Sequence, residues 1–343
     1  MPNLDRRGFL KRSALATSAA ALPFSLVEVA FAQTAENFTF AYISDAHIEH
    51  VERSCFVRSR DEGLRHAVRE INQMRPKPDF VMFGGDLAQF GARAELDHGA
   101  ELLSQLGTSF RCVMGEHDYY LDLGAHWTKL FGPQYYSFDH KGVHFVVLNS
   151  ILTHDDWTFN GWSAPEQRMR EMAAVESAKG SPFMVGERQR RWLANDLAKV
   201  GKTTPLVVFS HAPLQKIHRG WNFWTDDAEE VQALLAPFDR VNVLYGHVHQ
   251  IQHNQIGAIS FNSVAPTAWS WPYPQSHYAR GDVLLPKLTI EMDRSSFFSE
   301  RNVTGWQAID VSSGRVSAQY NLYNGTAPRI AFNHGKGGPE RIA

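Results

Sequence analysis

The feature that most constrains the fold of this chain is a series of six short apolar runs, five of which are followed by Asp, His or Glu. The runs cover residues 38–44, 80–83, 110–114, 143–148, 206–209 and 241–245. Their length and their content of Val and aromatic residues are typical of buried strands. Amphipathic segments separate the runs, and alternating strands and helices predict an α/β architecture.

The segments between the runs have apolar residues at helical spacing. These predicted helices contain residues 64–74, 96–106, 192–197 and 231–235. Gly107 predicts the end of the second helix, and Asp226 or Asp227 can cap the fourth. Near the C-terminus, residues 305–311 and 315–320 flank Ser312-Ser313-Gly314, a pattern that is typical of a hairpin.

Composition and charge exclude several classes of protein. A hydrophobic content of 43% supports a sizeable core. The chain has 34 basic and 36 acidic residues, so it lacks the basic excess of a typical nucleic-acid-binding protein, and we expect no nucleic-acid polymer as a partner. The two cysteines, Cys55 and Cys112, cannot form a disulfide scaffold or a cysteine zinc cluster. Whether they pair with each other or stay as buried thiols is left open.

The N-terminus has the order of features of an export signal. It contains the basic motif RRGFLK at residues 6–11, an uncharged and mildly apolar stretch at 13–27, and the small-x-small sequence AFA at 30–32. The apolar stretch is too short and too interrupted to span a membrane. The motif resembles the bacterial twin-arginine signal. We therefore expect residues 1–32 to be a signal peptide that is read by the twin-arginine export machinery, and the mature protein to be periplasmic or extracellular.

Potential metal ligands follow most of the predicted strands. In chain order they lie in DAH at residues 45–47, GGD at 84–86, GEHD at 115–118, SH at 210–211 and GHVH at 246–249. In α/β sheets, ligands bind beyond the carboxyl ends of the strands, so we expect these motifs to converge on one edge. Imidazole and carboxylate groups together suit Mn, Fe or Zn.

The five motifs and their order resemble those of the calcineurin-like metallophosphoesterase superfamily, whose pattern is D-x-H, G-D, G-N-H-D/E, H and G-H-x-H. The resemblance covers about residues 38–264. It implies a four-layer α/β/β/α sandwich, in which two mixed sheets are flanked by helices. We expect this domain to cover residues 37–325, with the hairpin of residues 305–320 completing the second sheet and residues 326–343 forming a loose tail.

The resemblance also implies a dinuclear metal centre. It assigns the first metal to Asp45, His47 and His249, the second to His211 and His247, and the bridging position to Asp86. Four glycines, at positions 84, 85, 115 and 246, would let the backbone turn sharply beside the ions. His117 would stabilise the developing charge and protonate the leaving alkoxide. A carboxylate, either Asp118 or one held by the metals, would orient His117.

Position 116 departs from the family pattern, because Glu116 stands where the family has Asn. Three carboxylates could then surround the metals, and their charge together with one hydroxide would cancel that of two divalent ions. Glu116 could bind the second metal and favour a ferric–divalent pair, stay protonated, or swing away from the metals. Our hypothesis is direct ligation.

The function implied by the resemblance is hydrolysis of phosphate mono- or diesters, by attack of a metal-bound hydroxide on phosphorus. The cofactor would be two divalent or mixed-valence metal ions, and the substrate a small phosphate ester. Three alternatives stay open: a pyrophosphate-cleaving hydrolase of a nucleotide or lipid conjugate, a non-catalytic metal-binding module on the same fold, and a metal-dependent hydrolase of another ester. Five further residues lie near the motifs in sequence and could face a substrate, although core packing is the commoner role: His50, Trp221, Trp224, His253 and Trp269.

Overall fold

A computed structural model describes most of the chain after its first 34 residues. The described residues are 35–51, 55–119, 121–153, 181, 183–216, 224–269, 304–323, 329–333 and 338–342. The predicted signal peptide at residues 1–32 lies outside them, and so does Trp221.

Strands and helices alternate along most of the described chain. The strands are β1 (Phe38–Ile43), β2 (His50–Val51), β3 (Cys55–Phe56), β4 (Val81–Phe83), β5 (Phe110–Cys112), β6 (Tyr136–His140), β7 (Val143–Val147), β8 (Leu152–Thr153), β9 (Phe183–Met184), β10 (Leu206–Ser210), β11 (Val241–Tyr245), β12 (His253–Ile256), β13 (Ile259–Ser263), β14 (Gly305–Ser312), β15 (Arg315–Leu322), β16 (Arg329–Asn333) and β17 (Gly338–Ile342). The helices are α1 (Arg58–Gln73), α2 (Arg93–Leu103), α3 (Glu116–Tyr119), α4 (Ala125–Phe131), α5 (Glu187–Leu197) and α6 (Ala228–Leu235). All six strands predicted from the apolar runs are present.

The first sheet has the strand order β15-β14-β1-β4-β5. Strands β1, β4 and β5 are parallel to one another, whereas β14 is antiparallel to both β1 and β15. The prediction that the hairpin of β14 and β15 would complete the second sheet is therefore wrong. The hairpin instead pairs with the edge of β1, where Ile309 and Val311 of β14 are buried between the two sheets.

The second sheet has the order β12-β13-β11-β10-β7-β6, with parallel pairing from β13 to β7 and an antiparallel strand at each edge. Both sheets are thus mixed. Aromatic side chains fill the space between them, and Phe40 of β1 packs edge-to-face against both Phe145 of β7 and Phe209 of β10. Burial of these large rings supplies much of the hydrophobic stabilisation that holds the sheets together.

Helices cover the outer face of each sheet. Leu64 of α1 and Leu96 of α2 pack on the first sheet, in one cluster with Ile43. Leu193 of α5 and Val231 of α6 pack on the second sheet, in another. Two face-to-face sheets between two helical layers form the four-layer α/β/β/α sandwich that the resemblance implied.

At two predicted helix boundaries, the hydrogen bonds in the structure differ from those that the sequence suggested. Helix α2 ends at Leu103, and tighter hydrogen bonds from Gln105 to Leu102 and from Leu106 to Leu103 continue the turn as far as Gly107. Asp227 precedes α6 but its side chain does not cap that helix. Its carboxylate instead accepts hydrogen bonds from the backbone N–H groups of Val185 and Gly186.

Within residues 326–343, for which a loose tail is predicted, β16 and β17 pair antiparallel. Cys112, at the end of β5, is a buried free thiol. Within the described residues, no helix is both long and apolar enough to cross a membrane.

Candidate metal centre

The candidate metal ligands lie on loops that leave the carboxyl ends of strands in both sheets. Asp45 and His47 follow β1, Asp86 follows β4, and Glu116 begins α3 shortly after β5. On the second sheet, His211 follows β10, and His247 and His249 follow β11. Because neighbouring parallel strands end at the same edge, motifs that are far apart in sequence meet there. All seven side chains are buried.

Five of these seven residues have a left-handed backbone. The φ angles are 52° for Asp45, 46° for His47, 54° for Asp86, 65° for His247 and 51° for His249. Residues other than glycine rarely adopt such angles, and backbone strain of this kind clusters at functional sites. The sharp turns predicted for the glycines are therefore made largely by the ligands themselves.

The motif glycines mainly provide space. Gly85 has a φ of 104° and needs the conformational freedom of glycine. Gly115 has no such angle, but a Cβ atom there would overlap the Asp86 carboxylate, and one at Gly246 would overlap the Ser44 hydroxyl. A side chain at either position would displace groups that line the centre.

The ligands form two groups of four that share Asp86. The first ligand group consists of Asp45, His47, Asp86 and His249, and the second of Asp86, Glu116, His211 and His247. Within each group, one ligand atom per residue lies within 4.8 Å of the others. The structure thus brings together the seven residues that the sequence suggested, in two groups with the membership that the resemblance implied.

Two imidazole nitrogens face each other in the first ligand group. The Nε2 atoms of His47 and His249 are 2.9 Å apart. His47 Nδ1 lies 3.0 Å from the side-chain oxygen of Gln89, and His249 Nδ1 lies 2.7 Å from the carbonyl oxygen of Trp269. Because each Nδ1 donates its hydrogen to these oxygens, Nε2 is the nitrogen that each ring directs towards the other ligands of the group.

Another imidazole faces carboxylates in the second ligand group. His211 Nδ1 donates to the carbonyl oxygen of Gly84 at 2.7 Å, which leaves Nε2 directed at Asp86 Oδ2 and Glu116 Oε2, at 3.2 and 3.0 Å. Glu116 Oε1 also lies 2.8 Å from His247 Nδ1. Clusters of buried acceptor atoms are costly unless a cation lies between them. The donors and their arrangement therefore fit two metal ions.

Burial and neighbouring charges shift the pKa values of the metal-free groups in opposite directions. Burial holds the pKa of His47 well below its usual value, and the neighbouring His117 and His249 lower it further. Burial would also lower the pKa of His211, but Asp86 and Glu116 raise it well above its usual value. The same contacts with His247 and His211 outweigh burial and lower the pKa of Glu116 well below its ordinary range.

His117 lies beside both ligand groups. Its Nε2 is 3.9 Å from Asp86 Oδ2 and 3.8 Å from Glu116 Oε1, and its side chain is 18% exposed, more than any of the seven ligands. His117 Nδ1 lies 2.5 Å from the backbone carbonyl of Gln89, which orients the ring.

The carboxylate of Asp118 accepts hydrogen bonds from the backbone N–H groups of Ala88 and Gly115, and so holds together the loops after β4 and β5. Burial and the nearby Asp86 raise the pKa of Asp118 well above its usual value.

Sequence reasoning missed two residues that support the first ligand group. Gln89 bonds His47 through its side chain and His117 through its backbone. Arg60 donates to the carbonyl of His47 at 3.2 Å and pairs with Glu49 at 2.5 Å. The position of Gln89 three residues after Asp86 was the available signal, whereas nothing near Arg60 in sequence pointed to the site.

The residues considered as possible substrate contacts lie in different places. Trp269 packs on His47, with ring centroids 4.3 Å apart, and on His249 at 5.0 Å. Trp224 is buried, His50 packs against Phe56, and His253 bonds Asn262. Of these, Trp269 is the residue that contacts the metal ligands directly.

This fold places two groups of potential metal ligands where strands of both sheets end, an arrangement that fits a pair of metal ions. Residues 38–251 match the family model for the calcineurin-like phosphoesterases, and the chain belongs to that family. The family hydrolyses phosphoester bonds.

Two curated relatives are similar over more than half of the chain. A probable cyclic nucleotide phosphodiesterase of Psychrobacter sp. (strain PRwf-1) is 25% identical over 198 residues, 56% of this chain and 53% of that protein. A probable glycerophosphodiester phosphodiesterase of Arcobacter nitrofigilis is 24% identical over 215 residues, 61% of this chain and 71% of that protein. The chain thus spans about half the length of the first relative.

A solved structure supports the fold. The purple acid phosphatase from yellow lupin (Lupinus luteus) seeds aligns with a TM-score of 0.53 at 12% identity, over 85% of this chain and 54% of that one. At this identity, the similarity concerns the architecture alone.

Proposed function

We propose that this protein is a phosphodiesterase with a dinuclear metal centre. The observation that carries the proposal is the pair of ligand groups that share Asp86, with His117 Nε2 within 4 Å of the carboxylates of both Asp86 and Glu116. The names of the curated relatives, a cyclic nucleotide and a glycerophosphodiester phosphodiesterase, support diesters as the substrate class.

The seven ligands would hold the two ions, which we expect to be Mn, Fe or Zn from the mixture of imidazole and carboxylate donors. When bound, the ions would supply Lewis acidity, which acidifies water and neutralises phosphoryl oxygens. The protein prepares for this role in two ways. Hydrogen bonds to Gln89, Trp269 and Gly84 fix the tautomers of three ligand histidines, and burial of all seven side chains limits their movement.

His117 is the group that we assign to protonate the leaving oxygen. Its Nδ1–H donates to the Gln89 carbonyl, so a proton on Nε2 makes the ring a cation. The carboxylates of Asp86 and Glu116 stabilise that cation from less than 4 Å away. The partial exposure of His117 allows a substrate to reach Nε2, and the fixed ring directs the proton towards the ligand groups.

The first test compares hydrolysis of bis-p-nitrophenyl phosphate, a diester, with that of p-nitrophenyl phosphate, a monoester. The assay is run on the protein as isolated, after chelation, and after addition of Mn, Fe or Zn. We expect diester hydrolysis that is lost with the chelator and restored by metal. A protein that binds two ions but hydrolyses neither ester under any of these conditions would contradict the proposal.

The second test addresses His117. We expect His117→Ala to keep its metal content and to lose activity roughly 10²–10⁴-fold, with the larger loss for alkyl leaving groups, which depend most on protonation. His126→Ala is the matched control, because His126 is also mostly buried and paired with a carboxylate, that of Asp97. Alkyl diester hydrolysis that survives His117→Ala would remove the assigned role.

We also propose that the protein is exported, since RRGFLK at residues 6–11 is followed by an apolar stretch and a cleavage pattern. The substrate would then be a small diester that is available outside the cytoplasm. Cell fractionation of the full chain and of a variant with Arg6→Lys and Arg7→Lys tests this idea. Export that is unaffected by the double substitution would exclude the twin-arginine route.

A further inference from the structure

The metal centre contains more negative charge than a monoester substrate tolerates well. Three buried carboxylates contribute to the two ligand groups, Asp45, Asp86 and Glu116, and the four imidazoles contribute no charge when they bind metals. With two divalent ions and one hydroxide bound, these charges would cancel.

This balance distinguishes between two classes of phosphate ester. A phosphodiester carries one negative charge, whereas a monoester at neutral or higher pH carries two. Each added buried carboxylate therefore repels a monoester about twice as strongly as a diester, in a site where electrostatic interactions are strong. Of the nearby described cations, Arg60 offers little compensation, because Glu49 pairs with it at 2.5 Å.

We propose that Glu116 is a specificity-determining residue, whose carboxylate selects monoanionic phosphodiesters over dianionic phosphomonoesters. The inference rests on the proposed phosphodiesterase function and names the residue that sets its substrate class. Glu116 is suited to this role because its two oxygens contact different histidines of the second ligand group, His247 at 2.8 Å and His211 at 3.0 Å. It therefore lies within the centre, and its oxygen 3.8 Å from His117 Nε2 also faces the group that meets the substrate.

The test uses Glu116→Gln, which removes the charge and keeps the size and an oxygen ligand. Loss of one negative charge strengthens the attraction of a dianion twice as much as that of a monoanion. We expect the ratio of kcat/KM for p-nitrophenyl phosphate to that for bis-p-nitrophenyl phosphate to rise by at least about tenfold. Glu62→Gln is the control, since it makes the same change in charge at an exposed position of α1, where Glu62 pairs with Arg58. Its ratio should equal that of the unmodified protein.

A binding measurement tests the same inference without turnover. Calorimetric titration of the metal-loaded proteins compares dimethyl phosphate, a monoanion, with methylphosphonate above its second ionisation, a dianion. We expect Glu116→Gln to strengthen methylphosphonate binding by at least about tenfold relative to dimethyl phosphate. Metal content is measured by elemental analysis on each sample. Glu116→Asp, which keeps the charge, should keep the diester preference even if its shorter side chain weakens metal binding.

The outcomes separate this inference from the proposed function. If the unmodified protein hydrolyses diesters, and Glu116→Gln keeps two ions with an unchanged selectivity ratio, Glu116 does not set the substrate class. If Glu116→Gln loses an ion, Glu116→Asp decides, because it keeps the charge. Loss of the diester preference in Glu116→Asp with two ions bound would overturn the inference. If the unmodified protein hydrolyses neither ester, the proposed function fails, and the relative binding of the two anions still decides the role of Glu116.

Discussion

The two ligand groups contain the same kinds of donor but are prepared differently for a metal. Each has two histidines, one carboxylate of its own and the shared Asp86. In the first, His47 has a pKa that burial and nearby histidines hold low, and Trp269 packs on both of its imidazoles. In the second, Asp86 and Glu116 raise the pKa of His211, and Phe183 packs edge-to-face on His247 at 5.1 Å.

This difference shows that a set of ligands does not by itself determine how a metal site behaves. In the first ligand group, burial favours the neutral form of His47, whose ring is held by a hydrogen bond to Gln89. In the second, Asp86 and Glu116 favour the protonated form of His211, and a metal ion would have to displace that proton. The two ligand groups should therefore bind metal ions in different ways, although they contain the same kinds of donor.

The largest effect should come from Asp86, because it belongs to both ligand groups. We expect Asp86→Asn to lose both ions and to reduce diester hydrolysis by roughly a thousandfold or more, since two ions supply several kcal/mol of charge stabilisation. Elemental analysis and kinetics on the folded variant measure this. Asp97→Asn, at a mostly exposed carboxylate that pairs with His126, should behave like the unmodified protein. Two retained ions in Asp86→Asn would refute the shared role.

A smaller effect should distinguish the aromatic supports of the two ligand groups. Trp269→Ala removes the ring but keeps the carbonyl that bonds His249, and groups that orient metal ligands typically change affinity by 10–100-fold. We expect Trp269→Ala to weaken the metal affinity of one of the two binding steps by about that factor. Trp269→Phe should weaken it less. Phe183→Leu, at the ring beside His247, should instead weaken the other step. Calorimetric titration with Zn or Mn resolves the steps, and equal weakening of both by Trp269→Ala would contradict the comparison.

The pH dependence of metal binding should differ between the ligand groups. Because the pKa of His211 is raised, a metal must displace its proton over a wide range of pH, and affinity should fall by about tenfold per pH unit as the pH decreases below that pKa. His47 is already neutral at neutral pH, so the first ligand group should keep its affinity to lower pH. His249→Ala isolates the second ligand group, and His211→Ala the first. Metal titrations of both variants across pH give the two slopes, and equal slopes would show that the groups are prepared alike.

Several elements could be predicted from sequence because their signals are local. The strand from Leu206 to Ser210 is a run of buried apolar residues, and any parallel sheet would bury it. The hairpin of β14 and β15 was also visible from its turn, but its sheet was not. Its pairing with β1 depends on which sheet edge lies within reach after folding, and a hairpin sequence contains no information on that edge.

The sequence by itself determined the α/β class and the succession of strands along the chain, because apolar runs and helical spacing are local signals. Its motifs pointed to the seven candidate ligands through their resemblance to the family pattern. Tertiary structure decided that these residues lie together, since the two groups combine residues from loops more than 200 positions apart, such as Asp45 and His249. It also decided the support by Gln89, Arg60 and Trp269, and the opposite pKa shifts of His47 and His211. Burial and distance create those properties, and both exist only when the two sheets have packed together.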